Sequence, residues 1–274
     1  MELQDKVVVI TGGASGIGAA LARRFHAEGA RHVTVVDRDL EGARSVAAEV
    51  GGEAHQVDVA DEQAVKDLVE HVESTVGPIG LFVSNAGYVT VGGLEIDDAE
   101  LLDMFGVHVM AHVYAARAVV PSMAARGEGY LLNTASAAGL LAQIGSMAYT
   151  VTKHAAVALS EWLAITHGPQ GVKVSVLCPQ AVATNIGENS PSKDKMGGSG
   201  VGVAAGDGIL SADDLAQTVI EGLADERFHI LPHAEVSTYV ERKAADVDRW
   251  IGGMQRFQAR LYEDAPMPGE WFTS

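Results

Sequence analysis

Seven short runs rich in β-branched and apolar residues punctuate the chain: Val7–Ile10, Val33–Val36, Gln56–Val59, Ile79–Val83, Tyr130–Thr134, Lys173–Leu177 and Phe228–Leu231. Longer stretches with helical spacing separate them, and this alternation predicts strands joined by helical crossovers, hence a parallel sheet. Nearly continuous apolar strands must be covered on both faces. The expected fold class is therefore α/β: a doubly wound, seven-stranded parallel sheet with helices on both sides. Helix boundaries are also readable. One helix is expected from Gly16 to Glu28, closed by Gly29, and another from Ala148 to about Thr166. Ser211 with Asp214 forms a capping-box pattern ahead of LAQTVIEGL.

No Pro/Ser-rich linker divides the 274 residues, so one domain spanning 1–274 is expected. With 47% hydrophobic residues, such a chain can bury about three quarters of its unfolded surface without disulfides or a structural metal. No metal site is expected. Two segments stand apart from the alternation. Residues 185–208 are rich in Gly, Ser and charge and aperiodic, and read as a mobile loop, either a lid over a site or an uninvolved excursion. The extension 234–274 begins with amphipathic spacing from Ala234 to Leu261, with Val236, Val240, Val247, Trp250, Ile251 and Phe257 as apolar positions. Subunit contact, pocket closure and plain packing are all open to it.

Nineteen Lys+Arg against 36 Asp+Glu give a net charge of −17, which repels phosphate backbones and anionic membrane surfaces, so nucleic acid is not an expected partner. No apolar run reaches the roughly 18 residues of a bilayer-spanning helix. The first residues lack the basic and apolar regions of an export signal, and the single cysteine, Cys178, cannot form an internal disulfide. A soluble, cytoplasmic protein is expected.

The first run leads into TGGASGIG, residues 11–18, and then into an Ala-rich helix. Gly12 permits a tight turn, Gly16 a close approach of backbone to a pyrophosphate, and Gly18 close packing of helix on strand. Ser15 and Ile17 lie in the same turn, where the helix N-terminus offers free N–H groups to an anion. Asp37 closes the second run nineteen residues after Gly18, where a carboxylate can accept bonds from an adenosine ribose and repel a 2′-phosphate. Arg38 follows it, but positions 14 and 15 are Ala and Ser, so no second cation supports a phosphate. NAD is the expected cofactor rather than NADP, in a Rossmann-like site.

Four further motifs follow in order: Asp58-Val59; Asn85-Ala86-Gly87 after the fourth run; Ser136 with Tyr149 and Lys153; and Pro179 to Thr184. Across roughly residues 5–231 the chain resembles the short-chain dehydrogenase/reductase family. Tyr149 and Lys153 are i and i+4 on one helix face. A free phenol, with a pKa of about 10, is a poor base at neutral pH, and the Lys153 ammonium would favour its phenolate. Ser136 after the fifth run can hold a substrate oxygen as charge shifts onto it. The resemblance implies further roles: Lys153 on the nicotinamide ribose, Asp58 on the adenine edge, Asn85 and Gly87 along the adenosine side, and Val182 and Thr184 at the carboxamide end. It also implies a homo-oligomer, dimer or tetramer, through the helices carrying Arg117 and Trp162.

The chain departs from the family pattern at His108, which stands where an asparagine usually supports a water linked to the lysine. A neutral imidazole can donate and accept, so His108 is a candidate for that relay, with an acidic limb in the activity if it protonates; an ordinary core histidine is the alternative. Gln180 replaces the usual glycine after Pro179, and Ser84 the usual asparagine before Asn85. Leu140, Leu141, Ile144 and Met147, with polar Gln143, are the expected pocket wall, which suggests a hydrophobic secondary alcohol or its ketone as substrate. Two other functions stay open: a catalytically silent NAD-binding regulator, and a non-enzymatic interaction module using the C-terminal segment.

Overall fold

The computed structural model describes residues 1–187, 190 and 205–263. Residues 188–189, 191–204 and 264–274, which hold most of the loop expected at 185–208 and the end of the C-terminal extension, lie outside the described residues. The strands are β1 (Val7–Thr11), β2 (His32–Asp37), β3 (Glu53–Gln56), β4 (Ile79–Ser84), β5 (Gly129–Thr134), β6 (Val172–Leu177) and β7 (His229–Ile230). They pair in parallel in the order β3-β2-β1-β4-β5-β6-β7. The order reverses between β1 and β4. Beyond the carboxyl ends of those two strands the crossovers diverge to opposite faces and leave a crevice.

The helices are α1 (Gly16–Ala27), α2 (Leu40–Glu49), α3 (Glu62–Thr75), α4 (Asp98–Phe105), α5 (Ala111–Arg126), α6 (Met147–His167), α7 (Ala212–Ala224), α8 (Glu235–Ala245) and α9 (Val247–Leu261). The period of two along a strand explains the two layers. Val8 and Ile10 of β1 enter a core with Leu21 and Phe25 of α1, Val46 of α2 and Leu215 of α7. Val7 and Val9 enter a second core with Val65 and Val69 of α3 and Val119 and Met123 of α5. Each such side chain, fully buried, contributes about 1.5–3 kcal/mol of transfer free energy.

Two expectations change. The third strand ends at Gln56 instead of running over 56–59: Val57 N–H still bonds Asp37 O at 3.1 Å, but the Asp58 carboxylate then accepts from Ala60 N–H at 2.9 Å and turns the chain. The β-branched residues that suggested the strand, Val57 and Val59, are buried beside it as the chain leaves the sheet. The amphipathic segment after Pro232 is two helices, broken where Asp246 adopts an extended backbone and its carboxylate caps Arg249 N–H at 3.0 Å. Of its apolar positions only Val236 is fully buried. Between α4 and α5 the backbone widens into one π-helical turn, Gly106–Met110, which carries His108.

Candidate active site

In the β1–α1 turn the Gly13 N–H is bonded to Val36 O at 3.0 Å, and the first turn of α1 carries no side-chain cap. Asp39, Asp61 and Ser211 cap the next helices with side-chain oxygens, whereas Ser15 makes no side-chain cap on α1. Gly12 and Gly16 have φ of +65° and +53°, a region that excludes ordinary side chains. A Cβ on Gly18 would collide with the Gly12 carbonyl and come within 2.8 Å of Asn85 Nδ2. The turn is thus a backbone cradle that fits a pyrophosphate. Asn85 braces it from β4, its Nδ2 donating to Thr11 O at 3.1 Å and Gly12 O at 3.3 Å. Asp37 stands at the end of β2, accepting from Ala14 N–H at 3.1 Å and Asp39 N–H at 3.0 Å.

At the other end of the same crevice α6 delivers Tyr149 and Lys153, both buried, with the Lys153 ammonium 5.6 Å from the Tyr149 ring centre. Lys153 Nζ donates to Thr134 O at 3.1 Å. Burial lowers the Lys153 pKa to about 8, with the Cys178 thiol below it acting in the opposite direction. Burial pushes the Tyr149 phenol above its ordinary value, while the adjoining Ser136 hydroxyl pulls it down. Ser136 begins a 3-10 turn, its Oγ accepting from Ala138 N–H at 3.1 Å.

Every residue singled out above for cofactor or chemistry lines one cleft of about 1510 Å³, with the exceptions of Gly18 and His108. Gly18 lies beneath the turn. His108 is fully buried behind Gly87, and both its nitrogens are engaged: Nε2 accepts from Tyr88 N–H at 3.2 Å, and Nδ1 lies 3.0 Å from Thr152 Oγ1. Thr152 gives its own proton to Ala148 O at 2.8 Å, which assigns the Nδ1–H tautomer to His108. Burial, then the Lys153 ammonium and His112, hold His108 well below its ordinary pKa, so it stays neutral. An imidazole with both nitrogens engaged in the core fits the alternative reading of an ordinary core histidine.

The substrate wall also differs from expectation. Leu141 and Gln143 line the cleft, but Leu140, Ile144 and Met147 do not. Leu140 packs on a neighbouring core, and its carbonyl accepts from Lys243 Nζ at 2.7 Å. The apolar wall comes instead from Tyr88, Val89 and Ile186, and from Trp250, Met254 and Phe257 on one face of α9. Tyr239 of α8 holds the appendage down through Asp207 Oδ1 at 2.9 Å. Trp250 and Phe257 had been readable only as amphipathic positions. The i, i+4, i+7 spacing with Met254 was the signal that α9 presents a face. Gln180 turns toward the cleft with its Oε1 shielded from water and unpaired.

A strand-switch crevice with a glycine cradle at one end and a Ser-Tyr-Lys cluster at the other defines a dinucleotide-dependent oxidoreductase. The short chain dehydrogenase family model matches residues 6–195, and the chain belongs to that family. It is similar to 1-deoxy-11-beta-hydroxypentalenate dehydrogenase of Streptomyces exfoliatus, 34% identical over 92% of this chain and 91% of the relative. It is also similar to meso-2,3-butanediol dehydrogenase of Serratia marcescens, 34% identical over 70% and 78%. A crystal structure of a short-chain dehydrogenase/reductase from Burkholderia phymatum in complex with NAD superposes with a TM-score of 0.80 at 29% identity, over 90% of this chain and 96% of that one. The protein is therefore a short-chain dehydrogenase acting on CH–OH groups with a nicotinamide dinucleotide. No described helix is long and apolar enough to cross a membrane.

Proposed function

We propose that the protein interconverts a hydrophobic secondary alcohol and its ketone with NAD, in a single catalytic domain, Tyr149 moving the proton. The observation that carries this reading is the convergence of Ser136, Tyr149 and Lys153 at the buried end of the cleft. Bound NAD+ supplies the hydride acceptor. Ser136 Oγ holds the substrate oxygen, and the Tyr149 phenolate takes the alcohol proton. Lys153, held at Thr134 O, stabilises the phenolate across a water-poor pocket where the attraction is strong. Asp37 selects the unphosphorylated ribose, with Arg38 exposed beside it. The aromatic and thioether face of α9, with Tyr88 and Val89, holds an apolar carbon frame, and Gln180 Oε1 accepts from a donor on the substrate. A panel of secondary alcohols and ketones, followed at the nicotinamide absorbance with NAD and NADP in parallel, tests cofactor, direction and substrate together. NAD binding without turnover on any of them would favour the silent regulator.

The buried phenol sets the pH behaviour. Alcohol oxidation needs Tyr149 deprotonated and ketone reduction needs it protonated, and burial raises its pKa. Oxidation is therefore expected to climb from neutral to alkaline pH while reduction declines over the same range. Initial rates in both directions across that range check the crossing; two parallel profiles would count against Tyr149.

His108 acts as a neutral positioning group that ties Tyr88 to α6. A His108→Asn variant is expected to keep the wild-type acidic limb and to lose about 1–3 kcal/mol of stability as a buried partner is left unpaired. Thermal unfolding and the acid side of the rate profile measure the two effects; an acidic limb that vanished would restore the titrating role. Trp162 and Ile165, exposed on α6, and Arg117, exposed on α5, support a homo-oligomer, a dimer or tetramer, through these two helices. The one cysteine, Cys178, is buried with its thiol pushed up to about 12, and with no second cysteine to pair with it the chain fits a cytoplasmic setting.

A further inference from the structure

Four side chains able to bind a metal gather at the outer edge of the sheet, near the amino ends of β2 and β3 and so at the end opposite the cleft. In the parallel pairing Thr34 lies beside Glu53 and Val36 beside His55. The period of two then places His32 and Thr34 on the same face as Glu53 and His55. The valines of α3 cover that face, and the same helix delivers His71. One ligand atom each from Glu53, His55 and His71 lies within 4.8 Å of the others.

The distances separate two readings of this cluster. Glu53 Oε1 is 3.4 Å from His55 Nε2 and 3.6 Å from His32 Nε2, and Glu53 Oε2 is 3.7 Å from His71 Nε2. A set of imidazole N–H groups bonded to a carboxylate would sit at about 2.9 Å. Ligands around a tetrahedral zinc-type ion, with bonds of about 2.0–2.1 Å, stand about 3.3 Å apart. The cluster lies nearer the second value. His32 Nε2 is shielded from solvent and makes no hydrogen bond. Thr34 Oγ1 donates to Glu53 Oε1 at 3.2 Å, the outer-sphere support that orients a ligating carboxylate.

We propose that Glu53, His55 and His71 bind one divalent transition-metal ion of the zinc type, and that His32, whose Nε2 reaches Glu53 Oε1 but stands outside the mutually close set, is drawn in as fourth ligand. An imidazole-rich set with one carboxylate suits zinc, cobalt, nickel or copper and not the all-oxygen coordination of magnesium or calcium. The ion ties β2, β3 and α3 together at the edge of the sheet, remote from the redox chemistry, and its role is stabilisation. The ligands are spread over residues 32 to 71 without a compact motif, so only the strand register brings them together.

Tag-free protein, stripped with a chelator and dialysed, is titrated with Zn2+ by calorimetry and thermal unfolding, and with Co2+ by visible absorption. The expected results are one equivalent of Zn2+ bound, a higher Tm, and the intense visible bands of four-coordinate Co2+. His71→Ala removes an exposed ligand, and Glu53→Gln keeps the side-chain shape. Each variant is expected to bind Zn2+ about tenfold or more weaker, to lose most of the Tm rise, and to keep wild-type alcohol turnover. Absence of saturable one-to-one binding overturns the proposal, as does a Tm rise of equal size in both variants.

Discussion

A Tyr149→Phe protein is expected to lose about 10²–10⁴-fold in kcat, the usual share of a positioned acid/base, with its affinity for NADH changed by no more than a few-fold. The split follows from what the substitution leaves in place. The ring packs with Tyr88, Val89, Met104 and Ala148, and phenylalanine keeps those contacts. Lys153 remains held by Thr134, and the glycine cradle and Asp37 lie at the far end of the cleft. Only the proton-transferring oxygen goes, and Ser136 cannot replace it because an unactivated hydroxyl is a poor base. Initial rates at the nicotinamide absorbance and a fluorescence titration with NADH measure the two quantities. A variant turning over at near the wild-type rate would remove Tyr149 from the chemistry, and a variant that had lost NADH binding would mean that the ring, rather than its oxygen, matters.

What could be read from sequence was what local chemistry dictates. The seven β-branched runs, the glycine turn and the Tyr149–Lys153 spacing each follow from a short-range rule, and the sheet order and the converging cleft agree with them. Readings that depended on which face of an element looks where fared less well. Leu140, Ile144 and Met147 sit next to Ser136 in sequence, yet the 3-10 turn beginning at Ala137 directs Leu140 into the core and leaves Leu141 on the cleft. Val57 and Val59 have strand composition, but the Asp58 turn takes them out of the ladder. By position His108 could be a proton relay or an ordinary core histidine, and only the tertiary partners of its two nitrogens speak to the choice. The histidines around Glu53 lie still further from local legibility, since three elements must meet before their proximity exists.

The second large effect concerns cofactor choice, and it turns on one carboxylate. An Asp37→Ala protein is expected to shift the ratio of kcat/KM for NAD over NADP by about 10²–10⁴-fold toward NADP. The magnitude comes from the lost hydrogen bond between a charged acceptor and the 2′-hydroxyl, which NADP lacks, worth about 1.5–3 kcal/mol, together with a relieved repulsion of the 2′-phosphate of comparable size, at about 1.4 kcal/mol per tenfold. The two carboxylate oxygens already accept from Ala14 and Asp39 N–H groups, which fixes their direction, and each retains a lone pair for the ribose. Removing the charge also ends its repulsion of a 2′-phosphate and leaves exposed Arg38 as the nearest cation. Loss of the Ala14 bond loosens the glycine turn for both dinucleotides alike, so absolute rates fall while the ratio isolates selectivity. Initial rates with each dinucleotide at several concentrations measure it. A ratio unchanged from wild type would move the recognition of the ribose away from Asp37, and with it the reason for assigning NAD.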